Sequence, residues 1–179
     1  MVEIKPKSLE KVIKVTYENT AKNTNWPGGD YKNYLRIYLP AEAYLTELSL
    51  IDGYNAGDRK VYMGNELKIR EVNGKKEVGL LVVVPVRSKK ILEIKYTMEI
   101  NLEGRDPSPA ERGEAGKFSY LYYIQRQSGY GDTGLVTLVS FPEGWQPLQV
   151  EPAASLVAGK LLFNQKLDRD VKMGVEIGR

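Results

Sequence analysis

VNGKKEVGLLVVVPV, residues 72–86, decides the fold class. Asn73 and Gly74 both tolerate the positive φ angles of a two-residue turn, so the stretch reads as the tip of a β-hairpin. From Gly79 to Val86 the chain is apolar, too short for a helix of normal length and rich in β-branched residues. Such a run predicts a strand covered on both faces. A chain whose clearest local signal is a tight hairpin feeding a valine strand belongs to the β class.

The flanking segments repeat that signal with a cleaner period of two. Upstream, YLRIYLP (34–40) sets Leu35, Ile37 and Leu39 against Tyr34, Arg36 and Tyr38, and Pro40 stops the strand. KVIKVTYEN (11–19) sets Ile13, Val15 and Tyr17 against Lys14, Thr16 and Glu18. LTELSLI (45–51), 61–63 and 67–72 complete the first half, separated by the turn-rich loops NTNWPGGDYKN and YNAGDRK. Downstream, ILEIKYTMEI (91–100), 118–127, 135–141, 159–166 and 171–177 also read as strands. The patch AASLVA (153–158) is the one short patch able to form a helical turn. Roughly nine to eleven short strands predict an all-β fold, an antiparallel β-sandwich of immunoglobulin-like or related type, with a barrel as the alternative. Leu35, Ile37, Val82, Val84, Ile94 and Ile124 are the expected core. Residues 1–10 are expected to be a flank and 11–179 a single domain, with an exposed loop at 104–117 (GRDPSPAERGEAGK) that lacks apolar periodicity.

Composition narrows the chemistry. The 179 residues include 26 Lys+Arg and 23 Asp+Glu, a net charge of +3, and the clusters Lys75-Lys76 and Arg87 to Lys90 read as solvated turns, which argues against nucleic acid as a partner. With no His and no Cys, imidazole and thiolate chemistry is excluded: no Ser-His-Asp or Cys-His nucleophile, no His/Cys zinc site, no iron–sulfur cluster, no disulfide. No cofactor and no metal is expected, and the chain is read as non-enzymatic. The longest apolar stretch, 79–86, is too short to span a bilayer, and MVEIKPKSLE has no apolar signal region, so no secretion signal is expected in this chain.

Several segments taken in order carry a family likeness: the strand ending Tyr17-Glu18-Asn19, NWPGGDYKNYLRIYLP (25–40), VNGKKEVGLLVVVPV (72–86), ILEIKYTM (91–98), YLYYIQRQSG (120–129) and LDRDVKMGVEI (167–177). Together they resemble the C-terminal region of the family catalogued as domain of unknown function 4012, found in bacterial surface proteins. The resemblance implies a parent protein with an N-terminal membrane anchor and an extracytoplasmic body, of which this chain would be the distal β-rich piece. Cell-surface location, a bacterial source and a membrane link made only through that anchor are implied by the resemblance. It supplies no reaction and no catalytic residues.

A few residue groups have the right chemistry for a reaction or a metal. Asp132-Thr133-Gly134 matches the aspartic-protease triplet, which needs two aspartates sharing a proton. It occurs once, in a Gly-rich segment, and reads as a turn. Asp168 and Asp170, with Asp30, Asp52 and Asp58, are oxygen donors of the type calcium prefers, but Arg169 and Lys172 flank the pair and a solvated turn is the preferred reading. Lys14 and Asn164 are isopeptide candidates by position alone. Carboxylate pairs for a hydrolase are not identifiable by spacing.

Aromatic residues offer the stronger signal. The chain has 12 Tyr and 2 Trp against 3 Phe, a bias toward rings with a polar handle. Trp26 and Tyr31 in NWPGGDY, Tyr54 in DGYNAGD and Tyr130 in the Gly-rich segment are the candidate ligand-binding residues, for a glycan or a cell-surface protein. For Trp26 two structures compete: a platform open to ligand, or, as preferred on sequence, a plug folded back on the sandwich. The function expected is a non-catalytic extracytoplasmic scaffold or interaction module, with a glycan-binding module as runner-up and a carboxylate hydrolase third.

Overall fold

The structure, a computed structural model, describes residues 1–102, 116–126 and 133–179. It is all-β, built from several mainly antiparallel sheets, with no barrel among the described residues. In chain order the strands are β1 (Val2–Ile4), β2 (Ser8–Asn19), β3 (Tyr31–Pro40), β4 (Tyr44–Asp52), β5 (Arg59–Val61), β6 (Lys68–Val72) and β7 (Lys75–Val84). Then come β8 (Ser88–Glu99), β9 (Lys117–Ile124), β10 (Gly134–Ser140), β11 (Gln146–Glu151), β12 (Ser155–Val157), β13 (Lys160–Lys166) and β14 (Val171–Gly178). The fourteen strands among the described residues exceed the expected nine to eleven because β1, β11 and β12 are short or irregular and carry too little periodicity to read. A single 3₁₀ turn, Gly64–Glu66, is the helix among the described residues.

Two compact units divide the chain: Lys11–Met98, and a composite of Met1–Glu10 with Glu99–Arg179. Each has its own core. In the inserted unit, strands β2, β8, β4 and β5 lie side by side in one sheet, and β3, β7 and β6 form the other. Tyr17, Leu48, Leu92, Ile94 and Tyr96 of the first meet Leu39, Val78, Leu80, Val82 and Val84 of the second. Leu35 and Ile37 are half-buried against that cluster. The strand period places them there: β3 runs antiparallel to β7 from Tyr31 opposite Val84 to Pro40 opposite Lys75, so every second residue turns inward.

The composite unit has the same two-layer plan. Strands β12, β13, β10 and β1 are neighbours in one sheet, and β11, β14 and β9 make the other. Val2, Ile4, Val139, Leu161 and Phe163 pack with Val171, Met173, Val175 and Ile177. Residues 1–10, expected as a flank, therefore contribute buried side chains, Val2, Ile4 and Leu9 among them. β1 reaches its place by a parallel pairing, Val2 opposite Val139. Ile124, expected in the core, is only half-buried at the end of β9, outside the main cluster.

Turn chemistry explains the hairpins. Asn73 (φ 49°) and Gly74 (φ 67°) adopt the paired left-handed conformation that joins β6 to β7. Ala158 (φ 48°) and Gly159 (φ 73°) do the same between β12 and β13. The patch 153–158 is thus a strand and the first half of a turn, not a helical turn, because Val157 pairs with Lys160. The valine strand also differs from expectation on one face: Val78, Leu80, Val82 and Val84 are buried, but Leu81 is 53% exposed. Among the described residues no third layer covers it.

Candidate functional site

Three loops of the inserted unit meet at one end of its sandwich: 20–30 after β2, 53–58 after β4, and 85–87 after β7. Their convergence follows from register. Asp52 pairs with Lys90 at the start of β8, and Tyr31 pairs with Val84 at the end of β7, so β2 to β3, β4 to β5 and β7 to β8 all turn at the same edge. Hydrogen bonds then tie the loops together. Asn19 Nδ2 donates to the Gly29 carbonyl at 2.9 Å and to the Val84 carbonyl at 3.0 Å. The Val86 amide donates to Asp30 Oδ1 at 3.2 Å, and the Gly53 amide donates to the Lys89 carbonyl at 2.8 Å.

Each loop is also shaped from within. Asp52 Oδ1 accepts the amides of Tyr54 (2.8 Å) and Asn55 (2.9 Å), while its Oδ2 accepts Lys90 Nζ at 2.9 Å. The Lys90 hydrogen bond, then those two amides, hold the Asp52 carboxyl below its ordinary range, so it stays an anionic acceptor. In the 20–30 loop, Asn23 Oδ1 accepts the Asn25 amide at 3.1 Å and the Gly28 amide donates to the Asn25 carbonyl at 2.6 Å. Gly28 is required there, since a Cβ would fall 2.4 Å from the Asn23 carbonyl oxygen.

This scaffold presents aromatic rings to solvent. Trp26 is 94% exposed, Tyr54 70% and Tyr31 42%. The plug expected for Trp26 is not formed: the Asn19 and Asp30 contacts hold the loop by its base, and the indole packs on nothing that would shield it. Tyr31 is anchored on its inner side, its ring 6.2 Å from that of buried Tyr17. Three of the four sequence-predicted ligand residues therefore share one end of one unit, and the fourth, Tyr130, lies outside the described residues. Sequence reasoning names Asp52 only as an oxygen donor for calcium and passes over Asn19 and Lys90, which build the site with it. For Asn19 and Asp52 the signal is an Asn or Asp at a strand end before a polar loop; Lys90 carries none.

The remaining candidates resolve individually. Asp132 lies outside the described residues, as do residues 104–115 of the loop expected at 104–117, whose Lys117 instead opens β9. Asp170 accepts the Tyr123 hydroxyl and the Arg126 amide, the latter at 2.8 Å, and so latches a loop to β9. Asp30 and Asp52 are taken up as backbone acceptors. Among the described residues no three acidic side chains are grouped to hold a metal ion. Lys14 is paired with Glu93 at 2.9 Å and belongs to the inserted unit, whereas Asn164 belongs to the composite one.

Glu93 anchors an ion network on the outer face of the β2–β8–β4–β5 sheet. It is 4% exposed and accepts from Lys14, Arg59 (3.1 Å) and Lys95 (3.2 Å); Arg59 and Lys95 also reach Glu47. Burial alone raises the Glu93 pKa, but the three cationic donors outweigh it and hold the carboxyl at about 2. Every strand of the group supplies a member, which makes this a cross-strand brace. Compared with known proteins, the chain matches no family model and no curated protein.

Proposed function

We propose that this chain is a non-catalytic interaction module of an anchored bacterial surface protein, working outside the cytoplasm, and that it engages its partner through the loop end of the 11–98 unit. One observation carries the reading: a tryptophan 94% exposed on a loop that is pinned at its base. Leaving an indole in water forgoes the burial that Trp normally gains, roughly 25 cal/mol per Å². A loop held in shape by hydrogen bonds loses little ordering entropy when a ligand arrives. The extracytoplasmic placement and the bacterial parent rest on the family resemblance.

Exposure of the ring favours the glycan-binding reading over an inert scaffold. Sugar C–H faces lie flat on aromatic planes while neighbouring polar groups hold the hydroxyls, and Trp26 has Asn25, Gly28, Gly29 and Asp30 beside it. The test is a pull-down and titration with purified bacterial cell-wall polysaccharide. Trp26→Ala and Tyr54→Ala are expected to weaken binding at least tenfold, equivalent to about 1.4 kcal/mol, with an unchanged melting temperature. Full binding by the double variant would overturn the assignment of this end as the site.

A further inference from the structure

The outer face of the β3–β7–β6 sheet is built unlike an ordinary solvated face. Register places four rows across it: Lys32 with Val83, Tyr34 with Leu81, Arg36 with Gly79 and Lys68, and Tyr38 with Glu77 and Arg70. Two tyrosines four residues apart on one strand stand about 13 Å from each other, and the three strands span about 10 Å. Both rings are held in place. Tyr34 lies across Gly79, where a Cβ would sit 2.5 Å from the tyrosine oxygen. A glycine inside a strand weakens it, and here its missing side chain is what lets the ring lie down on the sheet. Tyr38 donates its hydroxyl to Glu77, which also accepts Arg70 Nε at 2.8 Å.

These contacts leave the two rings 46% and 51% exposed, with Leu81 extending the apolar strip beside Tyr34. They also use up the face's acid. Glu77 is buried and saturated by Arg70 and Tyr38, whereas Lys32, Arg36 and Lys68 form no salt bridge among the described residues. Arg36 sits between the two tyrosines, its guanidinium 5.7 Å from the Tyr34 ring centre. The result is a strip of two fixed aromatic rings with a planar cation between them, Lys32 beyond Tyr34 on the same strand and Lys68 across β7 from Arg36.

We propose that this face is a second binding surface, independent of the loop end, and that its occupant is a uronate-bearing polysaccharide. The complementarity is specific in kind. Tyrosine faces take the C–H surfaces of successive sugar rings, the Arg36 fork pairs with a ring carboxylate in two-point fashion, and Lys32 and Lys68 supply point charges to its neighbours. A neutral glycan would bring no counter-charge to Lys32 and Lys68. A polyanion without rings, such as polyphosphate, would leave the tyrosines idle.

Alginate, a polyuronate, is the probe, titrated against the full chain at low and moderate salt with dextran as neutral control and polyphosphate as ring-free polyanion. Alginate is expected to bind, with affinity falling as salt rises, and both controls are expected to bind at least tenfold more weakly. Tyr34→Ala/Tyr38→Ala and Arg36→Gln should each weaken alginate at least tenfold with an unchanged melting temperature, while Leu156→Ala, an exposed position of the composite unit, should leave it unaffected. The proposal is overturned by absence of alginate binding at low salt, by equal binding of polyphosphate, or by full binding in the tyrosine variant. It is equally overturned if the wild-type chain self-associates through this face, seen as a dimer in sedimentation that the tyrosine variant loses. Because Trp26 and the tyrosines are read separately, failure here leaves the loop-end assignment standing, and the converse also holds.

Discussion

At the residue scale, exposure and burial decide what a substitution does. Trp26 makes no packing contribution, so Trp26→Ala is expected to change unfolding free energy by less than about 0.5 kcal/mol, measured by urea denaturation, as for other surface positions. Glu93 is the opposite case. Its folded pKa of about 2 lies below the ordinary 4.5, so it contributes stability above about pH 5 that is lost as the pH falls through 2. Melting curves of wild type and Glu93→Gln should be well separated at pH 7 and converge as the pH is lowered from 4.5 to 2. A separation that persists undiminished at pH 2 would show that Glu93 acts by packing, not by charge. Lys11 runs the other way. Buried, with its ammonium over the Tyr96 ring, it is pushed down to about 7 from 10.5, so protonating it costs stability below pH 7, and that cost fades as the pH rises toward 10.5.

At the element scale, strands that carry the period also carry the core. Ile94 on β8 is 1% exposed and faces the valines of β7, and Ile94→Ala should cost about 2–4 kcal/mol through lost transfer energy and the cavity left behind. A loss below about 0.5 kcal/mol in chemical denaturation, the range of surface positions, would break the register of β8. The two positive-φ hairpins differ in one informative way. The turn at 73–74 uses Asn where the turn at 158–159 uses Ala, whose Cβ crowds the backbone at φ 48°. Ala158→Asn is therefore expected to stabilise the protein by about 0.5–1 kcal/mol, seen as a raised denaturation midpoint at constant slope.

For the whole molecule, the consequence of two separate cores is testable. The inserted unit is continuous in sequence and buries its own apolar residues, so a fragment spanning 11–98 should fold alone, with a strand-type circular dichroism spectrum and one cooperative transition. The composite unit draws Val2, Ile4 and Leu9 from the opposite end of the chain to most of its core. Deleting residues 1–10 should therefore unfold it while leaving the 11–98 transition in place. Loss of both transitions together would show that the units fold as one.

Fold class was readable in the sequence because backbone geometry forces side chains to alternate: wherever Leu35-x-Ile37-x-Leu39 or Leu92-x-Ile94-x-Tyr96 appears, the faces are assigned with it. The Asn73-Gly74 turn was readable for a similar local reason, since few residues tolerate its dihedrals. Strand β1 was not, because three residues hold no period and its partner lies over 130 positions away. The aromatic candidates were visible as residue types, and the outward face of Tyr34 and Tyr38 as a period. Whether Trp26 was plug or platform depended on Asn19 and Asp30 finding Gly29, Val84 and Val86 across the sandwich end. Alternation along one strand is a local property of the chain, but exposure is set by what long-range pairing brings alongside, and only the tertiary structure decides that.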